Sequence, residues 1–392
     1  MWLLLACVPA EPRVDRIGAE PRVVPAAVAS GQLRMVDGTG GGDYLTIQEG
    51  IDAADDGDTV RVRAGTYTEN LDFHGRSVRV ESVEGPDATV IDGDGRGPVV
   101  TVGTAETDAT TLSGFTLRGG ASLAGSAVLV DFASLRIENS VLTDNDGPYT
   151  VYNASGDLEL DGVTIVENLG QRGGVAVLLD RGTVVVDAST VICGNLGSYA
   201  FYFSHGSAFV DWSSVECDSA YAVAFEHSVG RVQRSTVTGR VYVMSEEDHP
   251  DDLVSLENDV LDGGVVATYG MLRVRNSVVV GGLVRLIGTS ATSEISGSLF
   301  SGQDCAVDAD TADFLVQYND FWDVGTDRCD GLPYVGADGN FDADPLVDAD
   351  WVPGGGSALI DAGPPDTELD DPDGTRNDVG IFGGPRSVGG GW

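Results

Sequence analysis

Asp180 and Glu226 stand 46 residues apart, with Arg181, Tyr202 and His205 between them and His227 one residue beyond. Two carboxylates held several ångströms apart can divide hydrolysis between them, one protonating a leaving oxygen and the other activating water. Imidazoles move protons near neutral pH, and tyrosine rings pair a flat apolar face with a polar tip. The candidates are Asp180, Glu226, His205, His227 and Arg181 for acid–base work, and Tyr152, Tyr202 and Asp131 for holding a substrate. These residues can act together only if the chain returns to the same place at a short interval.

The chain does return. Ten anchor residues (Leu112, Ile137, Leu160, Val186, Val210, Val232, Leu256, Val274, Ile295 and Val316) close successive "LRIENSVL"-like runs, 18 to 26 residues apart. The fifth residue after every anchor is apolar, from Leu117 to Phe321. Two after the anchor, six of ten positions are Gly or Asn: Gly114, Asn139, Gly162, Asn258, Asn276 and Gly297. Those residues tolerate the left-handed backbone of a tight corner. Strand, corner and strand at this period describe one coil of a parallel β-helix. The fold class is therefore all-β, with roughly a dozen coils and a length of about 60 Å at about 4.8 Å per coil.

Counting back from the anchors makes "AVLVD", "TVYNA", "AVLLD", "AFYFS" and "VAFE" neighbouring strands of one sheet. Alternation sends Val128, Val130, Val177, Leu179, Phe201, Phe203, Val223 and Phe225 inward, and Asp131, Tyr152, Asp180, Tyr202 and Glu226 outward. Arg181, His205 and His227 follow at one shared phase. Asp180 and Glu226 then lie two coils apart, about 9.6 Å, near the upper end of the spacing that inverting glycosidases leave for water. A chain with 62 acidic residues also places carboxylates on every face by chance. Binding, cleavage and a purely structural solenoid all stay open.

The remaining elements position this frame. "TIQEGIDAADD" carries a capping box in Thr46 and Glu49, with Ile47, Ile51 and Ala54 on one face. It predicts a short helix closing the N-terminal end ahead of a first strand in "DTVRVRAG". Cys193 and Cys217 are 24 residues apart at one phase, so stacking brings them within disulfide reach. Cys305 and Cys329 are also 24 apart, with phases differing by three residues, and form a second candidate bridge. Stacked free thiols are the alternative.

The net charge is −40, and all 22 basic residues are Arg. Nucleic acid is excluded as a partner because phosphate neutralisation needs a basic surface. Chemistry with a Lys base is excluded outright, and a polyanion would need a bridging cation. Calcium is the candidate cofactor, with Asp371, Asp373 and Asp378 of "DDPDGTRND" as oxygen ligands and Asp92 and Asp94 of "IDGDG" as a lesser set.

Residues 36–93 resemble the opening of the pectin methylesterase and pectate-lyase-like families. The resemblance implies a secreted right-handed β-helix, with a polysaccharide or cell-surface glycan as partner and a groove along the sheet of Tyr152 and Glu226. The pectin methylesterase runs "DFIFG" and "LGRPW" are missing, as are the polygalacturonase elements "NTD", "GHG" and "RIK". The epimerase motif "DPHD" has only a scrambled counterpart in "EDHPDD" at 247–252. The scaffold is implied without its activities. The tail, "FDADPLVDADWVPGGGSALIDAG" and "DDPDGTRNDVGIFGGP", resembles the choice-of-anchor Q module, which implies display at a bacterial surface.

"LLLAC" resembles a lipobox with Cys7 as the lipidated residue. Its apolar stretch is short and no basic residue precedes it, which a truncated or misassigned start would explain. The domain reading is a signal-like segment at 1–7, a Pro/Ala-rich tether at 8–34, the β-helix with its cap at 35–330 and an anchor-type module at 331–392. No apolar run approaches a membrane span, so a lipid on Cys7 is the expected membrane contact and a monomer the expected state. The expectation is an exported, surface-associated, non-catalytic protein that binds carbohydrate or mediates surface contact; the alternative is a polysaccharide hydrolase or lyase without a Lys base.

Overall fold

Short strands wind into three parallel ladders, each strand pairing with its counterpart one coil away. The computed structural model describes residues 31–104, 106–168, 174–193, 199–246, 252–289, 292–310 and 314–387. The anchor sheet runs from Leu33–Val36 to Leu315–Gln317. The second sheet runs from Gly65–Tyr67 to Asp320–Trp322, and the third from Leu71–Asp72 to Val307–Ala309. The architecture is a right-handed parallel β-helix of about 11 turns, as the repeat predicts. Cys7 and most of the tether lie outside the described residues, as does nearly all of "EDHPDD".

All ten anchors pair in one register and form a column in the core, none more than 5% exposed. All ten corner positions two residues later adopt positive φ, between 45° and 80°. Four of them are neither Gly nor Asn: Ala188, Trp212, Arg234 and Tyr318. A left-handed L-residue costs roughly 1–2 kcal/mol, so something must hold these corners.

A polar ladder at the next residue does so. Val163 N donates to Ser189 Oγ, Ser189 N to Ser213 Oγ, Ser213 N to Ser235 Oγ and Ser235 N to Asp259 Oδ1. The chain of bonds continues through Ser277, Ser298 and Asn319 to Asn340. Each coil thereby satisfies the corner amide of the coil before it, and the buried backbone stays paired.

The predicted helix is present at Ile47–Asp52, with the Thr46–Glu49 capping box formed in both directions and Ile47 and Ile51 buried. The first strand needs correction. Leu33–Val36 pairs in parallel with Thr59–Val62, so the β-helix starts before its cap helix and inside the segment read as tether. A four-residue strand beside a Pro-rich run, with no earlier coil to set its phase, leaves little signal in the sequence.

The tail from 331 is largely irregular, and it folds back on the body. Leu359, Val379 and Ile381 pack with Val278 and Leu299 on the outside of the second sheet. Two corner asparagines fasten it: Asn258 Nδ2 donates to Gly383 O (2.7 Å) and Ile381 O (3.1 Å), and Asn276 Nδ2 to Gly383 O (3.0 Å). Gly380 N donates to Gly297 O at 2.8 Å.

Candidate functional site

On the third sheet the inward residues Val128, Val130, Val177, Leu179, Phe201, Phe203, Val223 and Phe225 are all fully buried. Their alternation partners therefore face outward. Asp180 pairs with Ser204, and Ser204 with Glu226, so the two carboxylates lie two coils apart in one column. Strand spacing puts them about 9.6 Å apart at the backbone. Tyr152 and Tyr202 share a second column, with Leu178 between them.

Arg181, His205 and His227 turn the corner into the anchor sheet with φ of 71°, 55° and 46°. The two imidazole rings are neighbours, with centroids 5.1 Å apart and planes tilted by 30°. Tyr202 donates its hydroxyl hydrogen bond to Glu226, and Ser204 Oγ donates to the same carboxylate oxygen at 3.3 Å. Ser204 Oγ also lies 2.8 Å from His205 Nδ1, and His227 Nε2 is 3.8 Å from Glu246. Burial and the neighbouring Glu226 push the Tyr202 phenol well above its usual range. Burial and Asp180 raise Tyr152. Asp131 is exposed at the margin, and Arg181 sits 3.9 Å from Asp180 with both side chains largely open.

Sequence reasoning passed over four further tyrosines on this sheet. Tyr149 contacts Tyr152 (5.5 Å), Tyr199 meets Tyr202 edge-on (5.1 Å), and Tyr199, Tyr221 and Tyr242 follow ring on ring at 5.5 and 5.4 Å. Arg240 lies over the Tyr221 ring at 5.8 Å. The signal was there in the two Tyr-x-x-Tyr runs "YTVY" and "YAFY". Tyr242 escaped because the acidic excursion after it breaks the count back from Leu256, although it follows Ala224 in the Tyr202 column.

A second surface was also missed. The anchor sheet carries a groove of about 510 Å³, with Val185 and Phe209 on its floor and Trp212 and Arg136 among its walls. Val185 and Phe209 occupy the outward column that holds Arg136, Glu159 and Arg231 in neighbouring coils. Apolar residues at an outward phase were the readable clue. Arg234 covers the Trp212 ring at 4.8 Å and pairs with Asp211.

Both cysteine pairs are bridged, Cys193–Cys217 with Cα atoms 5.2 Å apart and Cys305–Cys329 with 5.5 Å. The calcium candidates do not converge. Asp373 Oδ1 accepts from the amide and hydroxyl of Thr375, Asp378 Oδ1 from Asp361 N, and Asp371 from Gly384 N and Asp378 N. Burial and the charge of Asp378 push Asp371 up to about 7. Asp92 and Asp94 are turned to Arg118 and Arg96. Among the described residues no three His, Cys, Asp or Glu side chains gather as a metal would need.

No protein-family model matches this chain, and no curated protein sequence matches it either. Solved structures do. A complex of XylC with xylose is similar at 9% identity and a TM-score of 0.54, covering 81% of this chain and 87% of that one. Pectate lyase Pel9A is similar at 12% identity and a TM-score of 0.50, covering 91% of this chain and 98% of that one. A pectin methylesterase from carrot aligns over 80% of this chain and 89% of that one, at 12% identity and a TM-score of 0.25. The likeness is one of fold: this chain is a parallel β-helix, similar in fold to XylC and to pectate lyase Pel9A.

Proposed function

We propose that the protein binds polysaccharide along the outer face of the third sheet, without cleaving it. The tyrosine row carries this reading. Six rings on strands from Tyr149–Asn153 to Thr236–Met244 form a surface about 19 Å long across five coils. Rings of this kind cover the apolar faces of sugars, while the hydroxyls and carboxylates beside them bond to sugar hydroxyls. Two disulfides suit an oxidising compartment, which supports export. Lipidation of Cys7 and an anchoring role for the tail belong to the same reading.

The test is affinity electrophoresis of the full chain against neutral and acidic polysaccharides, read beside reducing-end and unsaturated-product assays. Retardation by at least one polymer, reduced about tenfold in Tyr202→Ala and Tyr221→Ala, is the expected result. Absence of retardation on every polymer would sink the reading.

The register of Asp180, Ser204 and Glu226 favours one alternative, an inverting hydrolase, with the two residues about 9.6 Å apart at the backbone. Cleavage abolished by both Asp180→Asn and Glu226→Gln would establish it in place of simple binding.

A further inference from the structure

The groove of about 510 Å³ on the anchor sheet has an apolar floor and an acidic edge. Val185 and Phe209 pair on adjacent coils in the outward column one residue before the anchors, where Glu159 precedes them. An outward phase on a solenoid sheet faces water, so two apolar side chains there leave a patch for a ligand to cover. Trp212, 49% exposed, stands at the corner that ends the Phe209 strand. Arg231 lies beyond Phe209 in the floor column, two coils from the strand of Val185.

The edge is a column of three aspartates, Asp161, Asp187 and Asp211, one residue after the anchors of successive coils. The outer two are matched, Asp161 by Arg136 at 2.8 Å and Asp211 by Arg234. Asp187 lies between them, lines the groove and forms no ion pair with a described residue. Burial pushes its carboxyl up, and the charges of Asp211 and Asp161 add to the effect. Like charges one strand spacing apart, about 4.8 Å, repel one another. Arg136 is not free to relieve this, because it already meets Glu138, Glu159 and Asp161, each within 2.8 Å. A cation brought in beside Asp187 would.

We infer that this groove binds an amino sugar, its protonated amine on Asp187 and the apolar face of its ring on Val185 and Phe209. An ammonium bonded to a carboxylate makes a charge-assisted pair, and a sugar ring lies flat on an apolar floor. Asp157, Glu159 and Thr183 also line the groove and offer oxygen acceptors to the sugar hydroxyls. A neutral sugar would leave Asp187 between its two like charges, and an amine on a plain hydrocarbon would leave those acceptors unused. The volume falls in the range of about 300–1,000 Å³ typical of small-molecule sites. The groove lies on a different sheet from the tyrosine row and does not rest on the proposal made for it.

Isothermal titration of the full chain with the glucosamine disaccharide, its N-acetylated counterpart and cyclohexylamine tests the site. The titrations share one ionic strength and a pH just below neutral, where the amine is protonated. Saturable binding of the glucosamine disaccharide is expected, with the other two ligands weaker by about tenfold or more, as loss of a charge-assisted bond predicts. Asp187→Asn should lower the affinity by the same factor, and Phe209→Ala should lower it through the floor. Asp87→Asn, in an exposed turn, should bind like the parent and separates the groove from the general negative field. The inference is overturned if the glucosamine disaccharide does not bind, or if either comparison ligand binds as tightly. It is equally overturned if Asp187→Asn binds like the parent or if Asp87→Asn loses as much.

Discussion

Tyr202 and Glu226, on adjacent coils of the third sheet, are joined by a hydrogen bond from phenol to carboxylate. Ionising the phenol would break that bond and set two negative charges side by side in a half-buried place. Tyr202 should therefore be among the last of the eleven tyrosines to ionise in an absorbance titration at alkaline pH. Glu226→Gln should bring that ionisation to lower pH. If Tyr202→Phe instead removes a phenol titrating near the ordinary value of about 10, the bond does not exist in solution.

The corner ladder makes opposite predictions for adjacent residues. Ser213 Oγ accepts from Ser189 N at 3.2 Å and donates to Asp211 O at 2.7 Å. Ser213→Ala should cost about 1–3 kcal/mol, since it strands a buried amide. Ala188 sits at φ 46°, so Ala188→Gly should be neutral or gain up to about 1 kcal/mol. Chemical denaturation of both variants gives the two signs directly.

Asp320 is fully buried, its Oδ1 accepts from Ala343 N at 3.0 Å, and its Oδ2 has no hydrogen-bond partner. Burial pushes it up to about 7. Between the ordinary carboxylate value near 4 and about 7, the folded chain holds a proton that the unfolded chain has released. Its contribution to stability therefore declines as pH rises through that window. Asp320→Asn should melt like the parent at pH 4 and above it at pH 8. A constant gap at both pH values would contradict the assignment.

The two bridges each close a loop of 24 residues, for which the chain-entropy account gives about 3 kcal/mol. Reductant should lower the melting temperature. Non-reducing peptide mapping should recover Cys193 with Cys217 and Cys305 with Cys329, leaving Cys7 outside any bridge. Any other pairing contradicts the coil register.

What was legible in the sequence is what repeats locally. Ten anchors, their corners and the Cys193–Cys217 pair are set by one period, so counting residues was enough to align Asp180 with Glu226. Leu33–Val36 was missed because no earlier coil fixes its phase, and Tyr242 because an insertion shifts it against the next anchor. The pocket of about 300 Å³ between tail and anchor sheet could not be counted out at all. Arg386 lines it together with Arg273 only because the tail folds back, through bonds spanning 107 to 125 residues. Asp371, Asp373 and Asp378 cluster in sequence, and how the tail arranges their carboxylates was beyond counting for a related reason: no period sets the phase of an irregular segment.

That returning tail changes how the far end of the molecule can come apart. A solenoid normally frays from its last rung, since each coil touches only its neighbours. Here the bonds from Asn258, Asn276 and Gly297 fasten three consecutive coils to one strap. Mechanically the strap is a buckle, and a load applied at the C-terminus meets it before any coil opens.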